Sequence, residues 1–171
     1  NRVYAVLSAI NGLIVRASNR DELFRQACGI AVDKGGFHIA LIAMVDHAKM
    51  QLVPVASAGL GQGALGQVKD RLSLVEGAAT GNPLLTRAIR QKKTVFINDL
   101  HNDPEVVFGT YYAQAGIHSL AILPLVVADQ AQGVLVLYAR ERAFFPSQER
   151  ELLTELAGDI AFAIDHIDKQ E

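Results

Sequence analysis

The sequence predicts an α+β sandwich built around a mostly antiparallel sheet. Two pairs of apolar runs, each joined by a short polar turn, have the pattern of β-hairpins. Both ends of the chain carry apolar residues at three- and four-residue steps, the pattern of amphipathic helices. Half of the 171 residues are hydrophobic and a fifth are charged. A chain of this length and composition can bury a genuine core, and disorder is excluded.

In chain order, Val3, Val6, Leu7, Ile10, Leu13 and Ile14 mark a first helix. Asn11-Gly12 weakens it locally, because Gly costs about 1 kcal/mol against Ala in a helix interior. Ser18-Asn19-Arg20-Asp21-Glu22 is a helix start with acid in the first turn. Leu23, Phe24, Ala27, Cys28, Ile30 and Ala31 line the buried face of that second helix, and Gly35-Gly36 ends it. Residues 37–46 (FHIALIAMVD) read as a strand buried on both faces, with residues 50–57 as its hairpin partner. Pro54 places that partner at a sheet edge, where a missing N–H is tolerated.

Residues 58–75 are Gly-rich and read as a long connection with some helix around 65–71. Asn82-Pro83 opens a short helix over 83–91. Residues 94–98 form a short strand, 99–104 a loop, and 106–115 a helix that Gly116 ends. Residues 117–127 and 132–140 form the clearest hairpin, separated by the turn Ala128-Asp129-Gln130-Ala131. Phe145-Pro146-Ser147-Gln148-Glu149 caps a long last helix with Leu152, Leu153, Leu156, Ile160, Ala163, Ile164 and Ile167 as its apolar positions.

Composition excludes several functions. Sixteen Lys and Arg against eighteen Asp and Glu give a formal charge of −2, so no basic field exists to hold nucleic acid or an anionic membrane. No apolar run approaches the roughly 20 residues of a membrane span. A single cysteine, Cys28, rules out an internal disulfide, a redox pair of thiols and a Cys-rich zinc site. None of His38, His47, His101, His118 and His166 has the spacing of a nucleophile triad or a metal motif, and His47 and His101 read as solvated turn residues. The glycines of AGLGQGALG contain GxGxxG from Gly61, without the parallel strand and ribose-binding acid that dinucleotide binding requires. No catalytic residue, metal ligand or cofactor is expected. The chain opens inside one predicted helix and closes inside another, with no leader. It therefore reads as one domain over 1–171, a cytoplasmic segment of a longer protein.

The ordered set of motifs carries a resemblance. Residues 21–31 followed by Gly35-Gly36-Phe37, Thr80-Gly81-Asn82-Pro83 with Ala88-Ile89, VFINDLHNDP at 95–104, Gly116-Ile117-His118-Ser119 with Leu123-Pro124-Leu125, and Gly133-Val134-Leu135-Val136-Leu137 with Phe144-Phe145 and Glu149 together resemble a GAF domain. GAF domains are the sensory modules of cyclic-nucleotide phosphodiesterases and phytochromes. The resemblance covers essentially the whole chain. Residues 156–171 (LAGDIAFAIDHIDKQE) also resemble the helix that joins bacterial GAF domains to domains that synthesise or degrade cyclic di-GMP.

The resemblance implies a GAF/PAS-like sheet of five to six strands, with terminal helices on one face and a lid of loops and short helices, 58–115, on the other. A ligand cavity would lie between sheet and lid. Strand alternation divides the strand residues between two faces, and the resemblance implies that Ile39, Leu41 and Ala43, with His118, Leu120, Ile122, Val134, Val136 and Tyr138, form the cavity wall. Ser119, Ala121, Leu123, Leu135 and Leu137 would face the helices. Phe108, Tyr111 and Tyr112 would stack on a planar ligand from the lid, and Asn98 and Asp99 would read its edge. The same wall residues equally suit a closed core. A covalent bilin is excluded, because no cysteine follows Cys28. GAF enzymes that reduce free methionine sulfoxide use several cysteines, and the Asn-Lys-Phe-Asp-Glu pattern of cyclic-nucleotide binders is missing. His118 is the only candidate for a proximal haem ligand, and it reads rather as a half-exposed strand-end residue.

Val3, Leu7, Ile10 and Ile14, and Leu153, Leu156, Ile160, Ile164 and Ile167, form heptad-like stripes. They suit a parallel homodimer that relays a signal through the terminal helices to an output domain in the same polypeptide, either cyclic di-GMP turnover or a histidine kinase. They also suit packing on the chain's own sheet. A ligand-free dimerisation and relay module is the alternative function.

Overall fold

The computed structural model describes residues 2–59, 74, 83–102, 116–141 and 145–170, apart from the side chains of 83 and 168–170. These residues form helices α1 (Arg2–Arg16) and α2 (Arg20–Gly35), strands β1 (Ile39–Asp46) and β2 (Gln51–Gly59), helix α3 (Pro83–Gln91), strands β3 (Val95–Ile97), β4 (Ser119–Val127) and β5 (Gln130–Ala139), and helix α4 (Ser147–Gln170). The predicted helices at 65–71 and 106–115, and most of the predicted lid, lie outside the described residues.

The five strands form one sheet in the order β2-β1-β5-β4-β3, and every neighbouring pair is antiparallel. The two hairpins lie side by side, with β5 zipped to β1. Pro54 therefore sits in an edge strand. Ile42 pairs with Ala56 and Ala43 with Pro54, so Val55 is the extra residue of a bulge beside the proline.

Several strand ends depart from the sequence reading, by one or two residues each. Asn19 caps α2, its side-chain oxygen accepting from the Glu22 N–H at 2.8 Å, and Gly36 ends the helix in the left-handed region with φ +70°. That cap turns the chain before the strand can begin, so Phe37 lies outside β1 and stacks on Phe145 at 5.9 Å. The β4–β5 turn has two residues instead of four. Ala128 and Asp129 both have positive φ, 51° and 64°, the hand that matches the twist of the flanking strands, and Gln130 already pairs with Val127. Ile117 and His118 precede β4.

The sheet separates two apolar clusters. On one face α1, α2 and α4 pack against Ala40, Ile42, Ala121, Leu123, Leu135 and Leu137. Val3, Leu7, Ile10, Leu153, Leu156, Ile160, Ile164 and Ile167 are all buried in this cluster, and Ile14 packs at its margin. The stripes that suit a dimer seam are thus occupied within a single chain. Arg2 and Glu149 tie the first turns of α1 and α4 together at 2.9 Å. Tyr4 and Val15 on α1 and Phe162 on α4 point outward, with Phe162 71% exposed and stacked on His166.

Candidate functional site

The opposite sheet face is the candidate site. Leu41 and Ala43 of β1, Leu120 and Ile122 of β4, and Val136 and Tyr138 of β5 lie together in the second cluster, joined by Ile39 and Val134. The pairings Leu41↔Val136, Ile122↔Val136 and Leu120↔Tyr138 set them in register across three adjacent strands. Leu84, Leu85 and Ala88 of α3 cover part of this wall. The spacing of these three residues gives α3 one apolar face, and that face meets the sheet.

The polar candidates make contacts of their own. Asn98 accepts a hydrogen bond from the Phe145 N–H at 3.2 Å, and the Phe145 ring belongs to the helix-packed core. Asn98 therefore ties the end of β3 to the entry of α4. Asp99 accepts from the Asn102 amide at 2.7 Å and shapes the loop after β3. Phe108, Tyr111 and Tyr112 lie outside the described residues. His118 stands just before β4, its ring 4.5 Å from that of His101. His101 is half-buried and packed on another imidazole, unlike the solvated turn residue that its sequence position implies.

A cavity of about 260 Å³ opens where the wall ends, between the β1–β2 turn, the last turn of α3 and the β4–β5 turn. Val45, Leu74 and Ile89 form its apolar side, and His47, Arg90, Lys92 and Asp129 its polar side. Leu74 is pinned there by its N–H to the Met50 carbonyl at 2.8 Å, and Arg90 donates to the Leu74 carbonyl at 3.1 Å. Lys92 bridges to Asp129 at 3.1 Å. Apolar walls with a few placed charges suit a small molecule. None of these polar residues was a sequence candidate. They come from turns and helix ends far apart in the chain, and no local pattern links them.

Among the described residues, two titratable groups elsewhere are shifted. Burial pushes the Cys28 thiol up to about 12, opposed by a hydrogen bond with the Ile42 backbone. His38 is held below its ordinary value, first by burial and then by the Arg140 charge; Arg140 Nε donates to His38 Nδ1 at 3.2 Å. Among the described residues, no three His, Cys, Asp or Glu converge as a metal site. No described helix is long and apolar enough to cross a membrane.

Comparison with known proteins places this architecture. No curated protein sequence matches the chain. The GAF domain of a phosphoenolpyruvate-protein phosphotransferase from Coxiella burnetii superposes with a TM-score of 0.80 at 18% identity, covering 99% of this chain and 96% of that one. A free methionine-R-sulfoxide reductase from Neisseria meningitidis, solved with its substrate, gives 0.77 at 16% identity over 99% and 92%. A GAF domain/HD domain protein from Geobacter sulfurreducens gives 0.70 at 16% identity over 95% and 97%. At such identities the likeness is one of fold. The sequence itself matches the GAF domain family over residues 17–165, and the chain belongs to that family.

Proposed function

We propose that this GAF domain is a non-catalytic regulatory sensor that takes a small molecule on the sheet face opposite its terminal helices. One observation carries the reading. The sheet has a second apolar face, separate from the helix-packed core, and that face ends in a cavity lined by Arg90, Lys92, His47 and Asp129. Val45, Leu74 and Ile89 carry the second apolar cluster into that cavity. The likeness to a methionine sulfoxide reductase raises an enzymatic reading, but the sole cysteine here is buried with its thiol pushed up to about 12, and a thiol held neutral is a poor nucleophile.

Occupation of the site biases α3, and the change passes through the sheet to α1 and α4. The output is a domain in the same polypeptide, one for cyclic di-GMP turnover or a histidine kinase, working from the cytoplasm. Homodimerisation uses the outward faces of α1 and α4, where Tyr4, Val15 and Phe162 stand exposed. A ligand-free relay is the second reading, favoured by the wall residues being already buried within the chain.

Native mass spectrometry with a metabolite panel, joined to melting measurements, separates the two. Sensing predicts a retained small molecule and a ligand-dependent rise in Tm. Thr86→Trp, which fills the cavity, should abolish both. A clean apo protein with no shift across the panel favours the relay. Phe162→Glu should convert dimer to monomer in light scattering, and an unchanged mass removes this helix face from the interface.

A further inference from the structure

His101 and His118 form a pair that the sensory reading does not use. Their ring centroids are 4.5 Å apart and the planes are tilted by 45°. Each ring has one nitrogen on a backbone carbonyl: His118 Nδ1 lies 2.6 Å from Arg140 O, and His101 Nε2 lies 3.2 Å from Ile117 O. A carbonyl oxygen can only accept, so both of these nitrogens bear the proton. In the neutral rings the lone pairs therefore sit on His118 Nε2 and His101 Nδ1. Neither atom has a hydrogen-bond partner among the described residues.

An imidazole whose N–H is held by a carbonyl while its other nitrogen keeps a lone pair is oriented as a metal ligand. The spacing agrees. A metal about 2.0–2.1 Å from each nitrogen lies about 3.2 Å from each ring centre, so two imidazoles on one ion have centroids about 4.5 Å apart at the roughly 90° angle of a square-planar or octahedral site and about 5.2 Å apart at the tetrahedral angle; the 4.5 Å here fits the first. The backbone of His118 and that of Leu100, next to His101, are also held. The Leu100 N–H donates to the His118 carbonyl at 2.8 Å, and the His118 N–H to the Ala139 carbonyl at 2.9 Å. The side chain of Arg140 is directed to His38 and not to the pair, so its charge is not aimed at the free nitrogens.

We propose that His101 and His118 form a two-imidazole site for a borderline divalent transition metal, of the Zn²⁺ or Cu²⁺ class that imidazole suits. With two protein ligands, the remaining coordination positions are open to water or to the donor atoms of a small molecule. The site stands whether or not the apolar wall takes a ligand of its own.

Calorimetric titration of the purified protein with Zn²⁺ tests this directly. One equivalent should bind, and affinity should fall about tenfold or more in His101→Gln and in His118→Asn. Both substitutions retain an amide N–H for the carbonyl each ring now holds, and circular dichroism confirms that the fold is kept. His166→Gln should leave the binding constant unchanged. In the native protein, Cu²⁺ should show an electron paramagnetic resonance spectrum split by two imidazole nitrogens, a readout that needs no variant. Absence of saturable binding, or binding that survives in both His101→Gln and His118→Asn, overturns the proposal.

Discussion

Cys28 and His38 show how position sets the chemistry of a side chain. Cys28 falls on the inner face of α2, and burial drives its thiol from an ordinary 9.0 to about 12. The native protein should not react with a maleimide at pH 8, and should react fully in denaturant. Above pH 9 only the unfolded chain gains by ionising, so this group's contribution is intact below that pH and is lost as pH rises toward 12. His38 has the opposite sign. Its depressed value means that acid protonates the unfolded chain first, so stability declines as pH falls through the ordinary 6.5. A nuclear magnetic resonance titration should place its midpoint below 6.5, and Arg140→Gln should raise it part of the way, since burial is the larger cause. The burial of Cys28 was legible from its helical spacing. The nearness of His101 to His118 was not, because the path of a loop leaves no periodic mark.

Within single elements, alternation was the most informative signal. Leu120 and Ile122 face one way and Ala121 and Leu123 the other, as a two-residue period requires, because side-chain direction in a strand is decided locally. Which strands become neighbours is not local. β5 approaches β1 closely at Gly133, where an added Cβ would stand 2.5 Å from the Ala43 carbonyl oxygen and 3.2 Å from Met44 Cα. Gly133→Ala should therefore cost about 1–3 kcal/mol, read as a lowered urea midpoint. An unchanged midpoint would mean that the two central strands can separate freely. The terminal stripes show the limit of periodicity: Leu153, Leu156 and Ile160 fit a dimer seam and a sheet-packing face equally well, and their burial here comes from the chain's own sheet.

For the whole molecule, the family match begins at residue 17, yet α1 contributes Val3, Val6, Leu7, Ile10 and Leu13 to the core. Each such side chain is worth about 1.5–3 kcal/mol when buried, which sums to the order of 10 kcal/mol. That equals the entire net stability of a typical domain, about 5–15 kcal/mol. A chain shortened to begin at Ala17 should lose its cooperative melt and bind a hydrophobic dye; a sharp transition near the full-length Tm would show α1 to be dispensable. The α+β class and the two hairpins were legible because both rest on short-range patterns. The cavity was not, since it is bounded by turns that only the finished sheet brings together.

The strand order has a further consequence for how the protein is made. β5 occupies the middle of the sheet although 129 of the 171 residues precede its first. During synthesis, the inner margin of β1 therefore waits with bare amides until the ribosome has delivered the strand that covers it. Any delay in translation between β2 and β5 prolongs that interval, and it is then that a nascent chain most needs a chaperone.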